Sequence, residues 1–244
     1  MARTNPTSQP TVPPIDQRYA AALYRTHRGP LAGARAAQRA LLDDGAKAQL
    51  DDIEAELTYL FVRDRAPGTV VEVGALHGWS TTWILRALHD ADRDGRRGEL
   101  HSFDLLDRAA RTVPAGLADG RWTFHHGDVR GNLRELPAGI GYLFVDAAHT
   151  ARFARWYIDR LFPLVPSGTP VSVHDVFHGR RTKPFSEGSV IISWLAEEGV
   201  PYFTASAAHA PEAHAGLMDV KRELGLDAPV RTPRRNPMIF FRMP

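Results

Sequence analysis

The stretch Val70-Val71-Glu72-Val73-Gly74-Ala75-Leu76-His77-Gly78-Trp79-Ser80-Thr81-Thr82-Trp83-Ile84-Leu85 constrains the fold of this chain more than any other. An apolar run broken by one acid passes through two glycines four apart and continues with helical apolar spacing. That pattern predicts a buried strand, a tight turn and a helix N-terminus, where open α/β sheets hold small ligands. The spacing is G-x-x-x-G, not the G-x-G-x-x-G that cradles a dinucleotide pyrophosphate. Glycine admits backbone conformations closed to other residues and lets a ligand approach the main chain. Ser80 and Thr81 open the helix, where hydroxyls and free N–H groups suit a carboxylate. A zwitterionic amino-acid moiety fits such a loop better than a phosphate. Many strand–turn–helix units also contain two glycines without binding anything.

From Thr69 onward the strand and helix patterns alternate. Strands are expected over 69–74, 100–104, 121–126, 140–146, 169–174, 201–206 and 237–242, with helices near 79–90, 107–117, 129–135, 150–164 and 186–199. Such alternation predicts a Rossmann-like, seven-stranded, mostly parallel α/β sheet with right-handed crossovers. The last two strands are separated by an insert, 207–236, with a short helix around 217–224, and are expected to pair antiparallel. Residues 1–14 are rich in Pro, Thr and Ser and predict a mobile tail. Residues 15–64 carry apolar clusters at helical spacing, punctuated by Pro30 and Gly45, and predict two or three N-terminal helices forming a cap on the domain at 65–244.

The 244 residues carry a formal net charge of +2, and no basic stripe with interleaved aromatics is present, so a nucleic-acid partner is not expected. The absence of cysteine excludes disulfides, thiolate metal sites and cysteine nucleophiles. There is no signal-peptide pattern and no apolar run of membrane-spanning length, which makes the cytoplasm the expected compartment and leaves no membrane role. The N-terminal helices offer a surface for a homodimer.

Ionisable residues fall where five successive strands should end: Glu72, Asp104, Asp128 after Gly127, Asp146, and the pair His174-Asp175. One acid after a strand is commonplace. Five on one sheet edge point to a site, because the loops there converge. Asp104 can accept both hydroxyls of a ribose or cap the following helix. Gly127-Asp128 can position an adenine ring or form a simple turn.

Together Glu72-x-Gly74-x-x-x-Gly78-x-Ser80, Asp104, Gly127-Asp128, Asp146-Ala147-Ala148-His149 and His174-Asp175 resemble a class I S-adenosylmethionine-dependent methyltransferase. More narrowly they are similar to the small-molecule O-methyltransferases that tailor cephalosporins and macrolides. The resemblance covers roughly residues 60–206. It implies that Gly74, Gly78 and Ser80 contact the methionine moiety, that Asp104 holds the ribose, and that Asp128 and its neighbours hold the adenine. Glu72, His77 and Asp146 join the cofactor set, with His77 lining the cleft. In metal-dependent relatives the positions of Asp146, His174 and Asp175 bind a divalent cation, usually magnesium. Here the first member of the pair is His174 rather than an acid, and Ala148 stands where macrolide-type relatives carry a second acid. A histidine favours manganese or iron over magnesium, or acts as a base instead of a ligand.

The resemblance implies methyl transfer to an oxygen of a small molecule in specialised metabolism. A sulfonium methyl is already electrophilic, so alignment of nucleophile, methyl and sulfur is the first task and deprotonation of the acceptor the second. A metal on Asp146 and Asp175 would acidify the acceptor. Without one, His149 or His174 would take the proton, with His149 otherwise orienting Asp146. The basic loop 177–185 reads as a substrate lid or as an ordinary exposed loop. Arg231, Arg234 and Arg235 read as a solvated run, and Trp156 and Trp194 as core. The competing readings are a metal-free N- or C-methyltransferase and a non-catalytic binding or scaffold relative.

Overall fold

The structure, a computed structural model, describes residues 13–177, 180–231 and 238–244. Three helices come first: α1 (Gln17–Thr26), α2 (Arg28–Asp43) and α3 (Asp52–Arg65). Then follow β1 (Thr69–Val73), α4 (Trp79–Asp92), β2 (Glu99–Asp104), the short α5 (Arg108–Thr112) and α6 (Ala115–Ala118), β3 (Trp122–His126) and β4 (Tyr142–Val145). The chain continues through α7 (Ala151–Trp156), β5 (Pro170–Val173), α8 (Glu187–Glu197), β6 (Tyr202–Phe203), α9 (Pro211–Glu223) and β7 (Ile239–Arg242). The strands form one sheet in the order β3-β2-β1-β4-β5-β7-β6. All pairings are parallel except those of β7, which runs antiparallel to both β5 and β6. The Rossmann-like sheet and the antiparallel last strand are therefore as expected.

Strand order reverses between β1 and β4, and a crevice opens beyond the carboxyl ends of strands at such a switch point. Alternation along β1 divides the core. Val70 joins Leu100, Phe144 and Phe240 on the face covered by α3 and α4, while Val71 and Val73 join Val145, Val173 and Phe241 on the other. Helix α3 is buried from Asp52 to Arg63, and its Leu57, Leu60 and Phe61 share a core cluster with that sheet face. The N-terminal helices are thus integral to the core. Helix α3 starts with a full capping box, in which Asp51 and Glu54 each accept from the other's backbone N–H. It ends at Ala66, in left-handed conformation ahead of Pro67.

Several helices differ from expectation. The segment 107–117 is two short helices, broken at Val113-Pro114 because the residue before proline avoids helical geometry. The segment 129–135 holds only a 3-10 turn at Leu133–Glu135. Beyond Trp156 the expected helix 150–164 widens into a π-helical stretch, Tyr157–Leu161, before a 3-10 turn containing Pro163. The insert's helix starts earlier, at Pro211, which suits a first helical position whose N–H needs no partner. Residues 1–12 of the expected tail, His178 and Gly179 of the expected lid, and Arg234 and Arg235 lie outside the described residues. Among the described residues no helix is long and apolar enough to cross a membrane.

Candidate active site

Beyond β1 and β4 the two strand ends abut. Gly74 has φ +92°, and a Cβ placed on it would lie 1.8 Å from the backbone oxygen of Asp146. Only glycine lets the first loop pass this close to the second. Asp104 then fixes that loop from the end of β2. Its Oδ2 accepts from the backbone N–H groups of Ala75 at 2.8 Å and Leu76 at 2.7 Å, and its Oδ1 from that of Leu106 at 2.8 Å. At the end of β3, Gly127 has φ +135°, and Asp128 is paired with Arg130, which holds its carboxyl below the usual range.

These ends border one cavity of 1240 Å³. Gly74, Asp104, Gly127 and Asp128 line one part of it; Asp146, His149, His174 and Asp175 line another. Small-ligand pockets run to about 1,000 Å³, so this cavity has room for a cofactor beside an acceptor.

Two histidines organise the second part. His174 is buried, with Nδ1 3.2 Å from Asp146 Oδ1 and Nε2 3.3 Å from Glu54 Oε2. Burial disfavours its charged form, but the carboxylates of Asp146 and Glu54 outweigh that and raise its pKa well above the ordinary value. His149 has Nδ1 3.1 Å from Glu187 Oε2, and its Nε2 lies 3.4 Å from Asp146 Oδ1 and 3.3 Å from Asp175 Oδ2. Burial opposes the charged form there too, and Glu187, Asp146 and Asp175 raise the pKa. Burial pushes the Asp146 carboxyl up, yet the two imidazoles bring it below its usual value. His149 and Asp175 both have positive φ, +47° and +55°. Left-handed backbone at non-glycine residues costs about 1–2 kcal/mol each. Such strain clusters at functional sites.

The ligand atoms of Asp146, His149 and Asp175 lie within 4.8 Å of one another. Two carboxylates and one imidazole suit a divalent cation that tolerates nitrogen, such as manganese or iron, better than magnesium. His149 rather than the expected His174 shares this cluster; the nitrogens of His174 lie 3.2 Å from Asp146 and 3.3 Å from Glu54.

The sequence of a protein family described as a methyltransferase domain matches residues 71–176. This stretch of the chain is similar to that family. Solved structures share its fold at low identity. The cofactor-bound Rv0187 from MTB is 19% identical with a TM-score of 0.57, over 95% of this chain and 99% of that one. The apo structure of CalS11, a TDP-rhamnose 3'-O-methyltransferase in calicheamicin biosynthesis, is 15% identical with a TM-score of 0.51, over 78% and 77%. No curated protein matches the sequence.

Four residues expected at the cofactor lie off the walls of this cavity. Glu72 is fully buried beneath the glycine loop and accepts hydroxyl bonds from Ser80 at 2.5 Å, Thr81 at 2.7 Å and Ser102 at 2.6 Å. Burial pushes its pKa up to about 7 against those three donors. Ser80 is therefore spent on Glu72, since a buried carboxylate needs donors. His77 and Gly78 line a separate, smaller hollow with Trp79 and Thr112. A Cβ on Gly78 would lie 2.6 Å from Val113 Cγ2, so this glycine serves packing against the α5–α6 corner.

Sequence reasoning missed Glu54, Asp51 and Glu187. The motif Asp51-x-x-Glu54 ahead of an apolar run signals a helix start, and here both residues also line the cavity. Arg231 lines the cavity too and donates to the Leu50 carbonyl at 2.8 Å, so it is no solvated loop residue. Among the described residues of 177–185, none lines the cavity; Phe177 is buried and stacks on His209, while Phe185 is 88% exposed. Trp156 and Trp194 are half-buried against the second core cluster.

Proposed function

We propose that the protein transfers a methyl group from S-adenosylmethionine to an oxygen of a small-molecule acceptor. The observation that carries this reading is the juxtaposition, in one cavity of a methyltransferase domain, of the Gly74–Asp104 loop end with the Asp146, His149 and Asp175 cluster. The loop side suits the cofactor. Asp104 keeps unused acceptor capacity for ribose hydroxyls beside its three backbone donors, and Gly74 lets the methionine moiety approach the main chain. Gly127 and Asp128 border the adenine end. This orientation brings the sulfonium methyl toward Asp146 and His149, and alignment supplies most of the catalysis.

Asp146, His149 and Asp175 would hold a divalent cation, which when bound lowers the pKa of an acceptor hydroxyl. In the cation-free site, His149 Nε2 is the atom that takes the acceptor's proton. His174 is less suited to that role because its side chain is only 11% exposed, against 34% for His149; it packs between Asp146 and Glu54. CalS11 is a TDP-rhamnose 3'-O-methyltransferase, and the shared fold together with the acid–histidine cluster here supports an oxygen acceptor.

The test is transfer of labelled methyl from S-adenosylmethionine to a panel of hydroxylated small molecules, with and without manganese. Labelled methyl ether and stoichiometric S-adenosylhomocysteine are expected. Methylation confined to amines, or none across the panel by protein that binds the cofactor, would overturn the oxygen assignment.

A further inference from the structure

Glu187 is an acid at the very start of α8, 1% exposed, that the chemistry described above does not use. A buried carboxylate persists only with compensation. Its Oε2 meets His149 Nδ1 at 3.1 Å, while Oε1 is buried without a hydrogen-bond partner. Three local features fix it there. Ser186 caps α8, accepting from the Ser189 N–H at 3.3 Å. An isolated antiparallel bridge joins Ser186 to Thr150, the neighbour of His149. Finally, Gly188 packs so closely on the segment after Asp175 that a Cβ would stand 2.0 Å from the Val176 oxygen. The first turn of α8 is thereby held against both loops of the site.

We propose that Glu187 is the positioning residue of the cation site: it accepts the Nδ1 proton of His149 and so turns Nε2, as a lone-pair donor, toward the carboxylates of Asp146 and Asp175. A metal-bound histidine commonly gives its other N–H to a carboxylate, which fixes tautomer and ring orientation. The distances of 3.3 and 3.4 Å from Nε2 to Asp175 and Asp146 place the three donor atoms around one point. Removal of such a partner lowers metal affinity by about 10–100-fold. The inference rests on the reading of Asp146 and Asp175 as cation ligands.

The experiment is titration of Mn²⁺ alone into metal-stripped protein, followed by electron paramagnetic resonance, with S-adenosylhomocysteine binding measured separately on the same preparations. Wild type is expected to bind one Mn²⁺ with nitrogen coupling in the pulsed spectrum. His149→Ala should lose that coupling and His174→Ala should keep it. Glu187→Gln should weaken Mn²⁺ binding about 10-fold or more, and the same change in a His149→Ala background should have no effect. Should Glu187→Gln fail to fold, Glu187→Asp takes its place with the same expectation. Equal affinity in the variant and wild type, nitrogen coupling that survives His149→Ala, or no Mn²⁺ binding by wild type overturns the proposal. In each of those cases retained S-adenosylhomocysteine binding leaves the cofactor reading standing, and its loss removes that reading as well.

Discussion

Asp146→Asn reduces methyl transfer by about 10²–10⁴-fold while the chain stays folded. Asp146 Oδ1 is the atom shared by the two histidines, 3.2 Å from His174 Nδ1 and 3.4 Å from His149 Nε2. Despite burial, those imidazoles keep its carboxyl below the usual range and hence ionised at neutral pH. Asparagine preserves the volume at the end of β4 and removes the charge that balances both rings. His174 keeps Glu54 opposite Nε2 at 3.3 Å, so it is not stranded in the interior, and the sheet is untouched. The change therefore separates chemistry from folding. Comparing kcat/KM with the unfolding transition checks this, and turnover near the wild-type rate would remove Asp146 from both the ligand and the proton-balancing roles.

Gly74→Ala destabilises the protein by about 2–5 kcal/mol and abolishes cofactor binding. Two costs add. At φ +92° an L-residue is strained, and the new methyl would meet the Asp146 oxygen at 1.8 Å and its carbonyl carbon at 2.6 Å. Both contacts are backbone, so no side chain can swing away to relieve them. The β1 and β4 ends must separate, and the loop that Asp104 holds through Ala75 and Leu76 moves with them. Urea unfolding and ligand titration read the two effects independently. An alanine variant of wild-type stability and affinity would show that the strand ends do not need this contact.

The sheet was legible because its signals are local. β1, β4, β5 and β7 carry short, mostly apolar runs beside turn residues, and the glycine at 74 marks the point where the chain must turn closely. The strand-end acids and histidines were legible for the same reason: Asp146, His149, His174 and Asp175 follow strands whose order in the sheet brings them to one crevice. Glu54 and Glu187 were not. They arrive from α3 and α8, about 120 and 40 residues from the nearest histidine they face at His174 and His149, and a capping signal fixes where a helix starts but not what it packs against. Ser80 shows the converse. Its position at a helix start suited a ligand, but the buried carboxylate of Glu72 claimed its hydroxyl at 2.5 Å. That requirement appears only once the burial of Glu72 is known.

The most direct test of the account is calorimetric titration of S-adenosylhomocysteine into metal-stripped protein, with Asp104→Ala measured alongside. Micromolar binding by wild type, weakened in the variant that loses the carboxylate at the end of β2, is the predicted result. No binding by well-folded wild type would contradict the assignment of the cavity to this cofactor, and unchanged affinity in Asp104→Ala would contradict the ribose role.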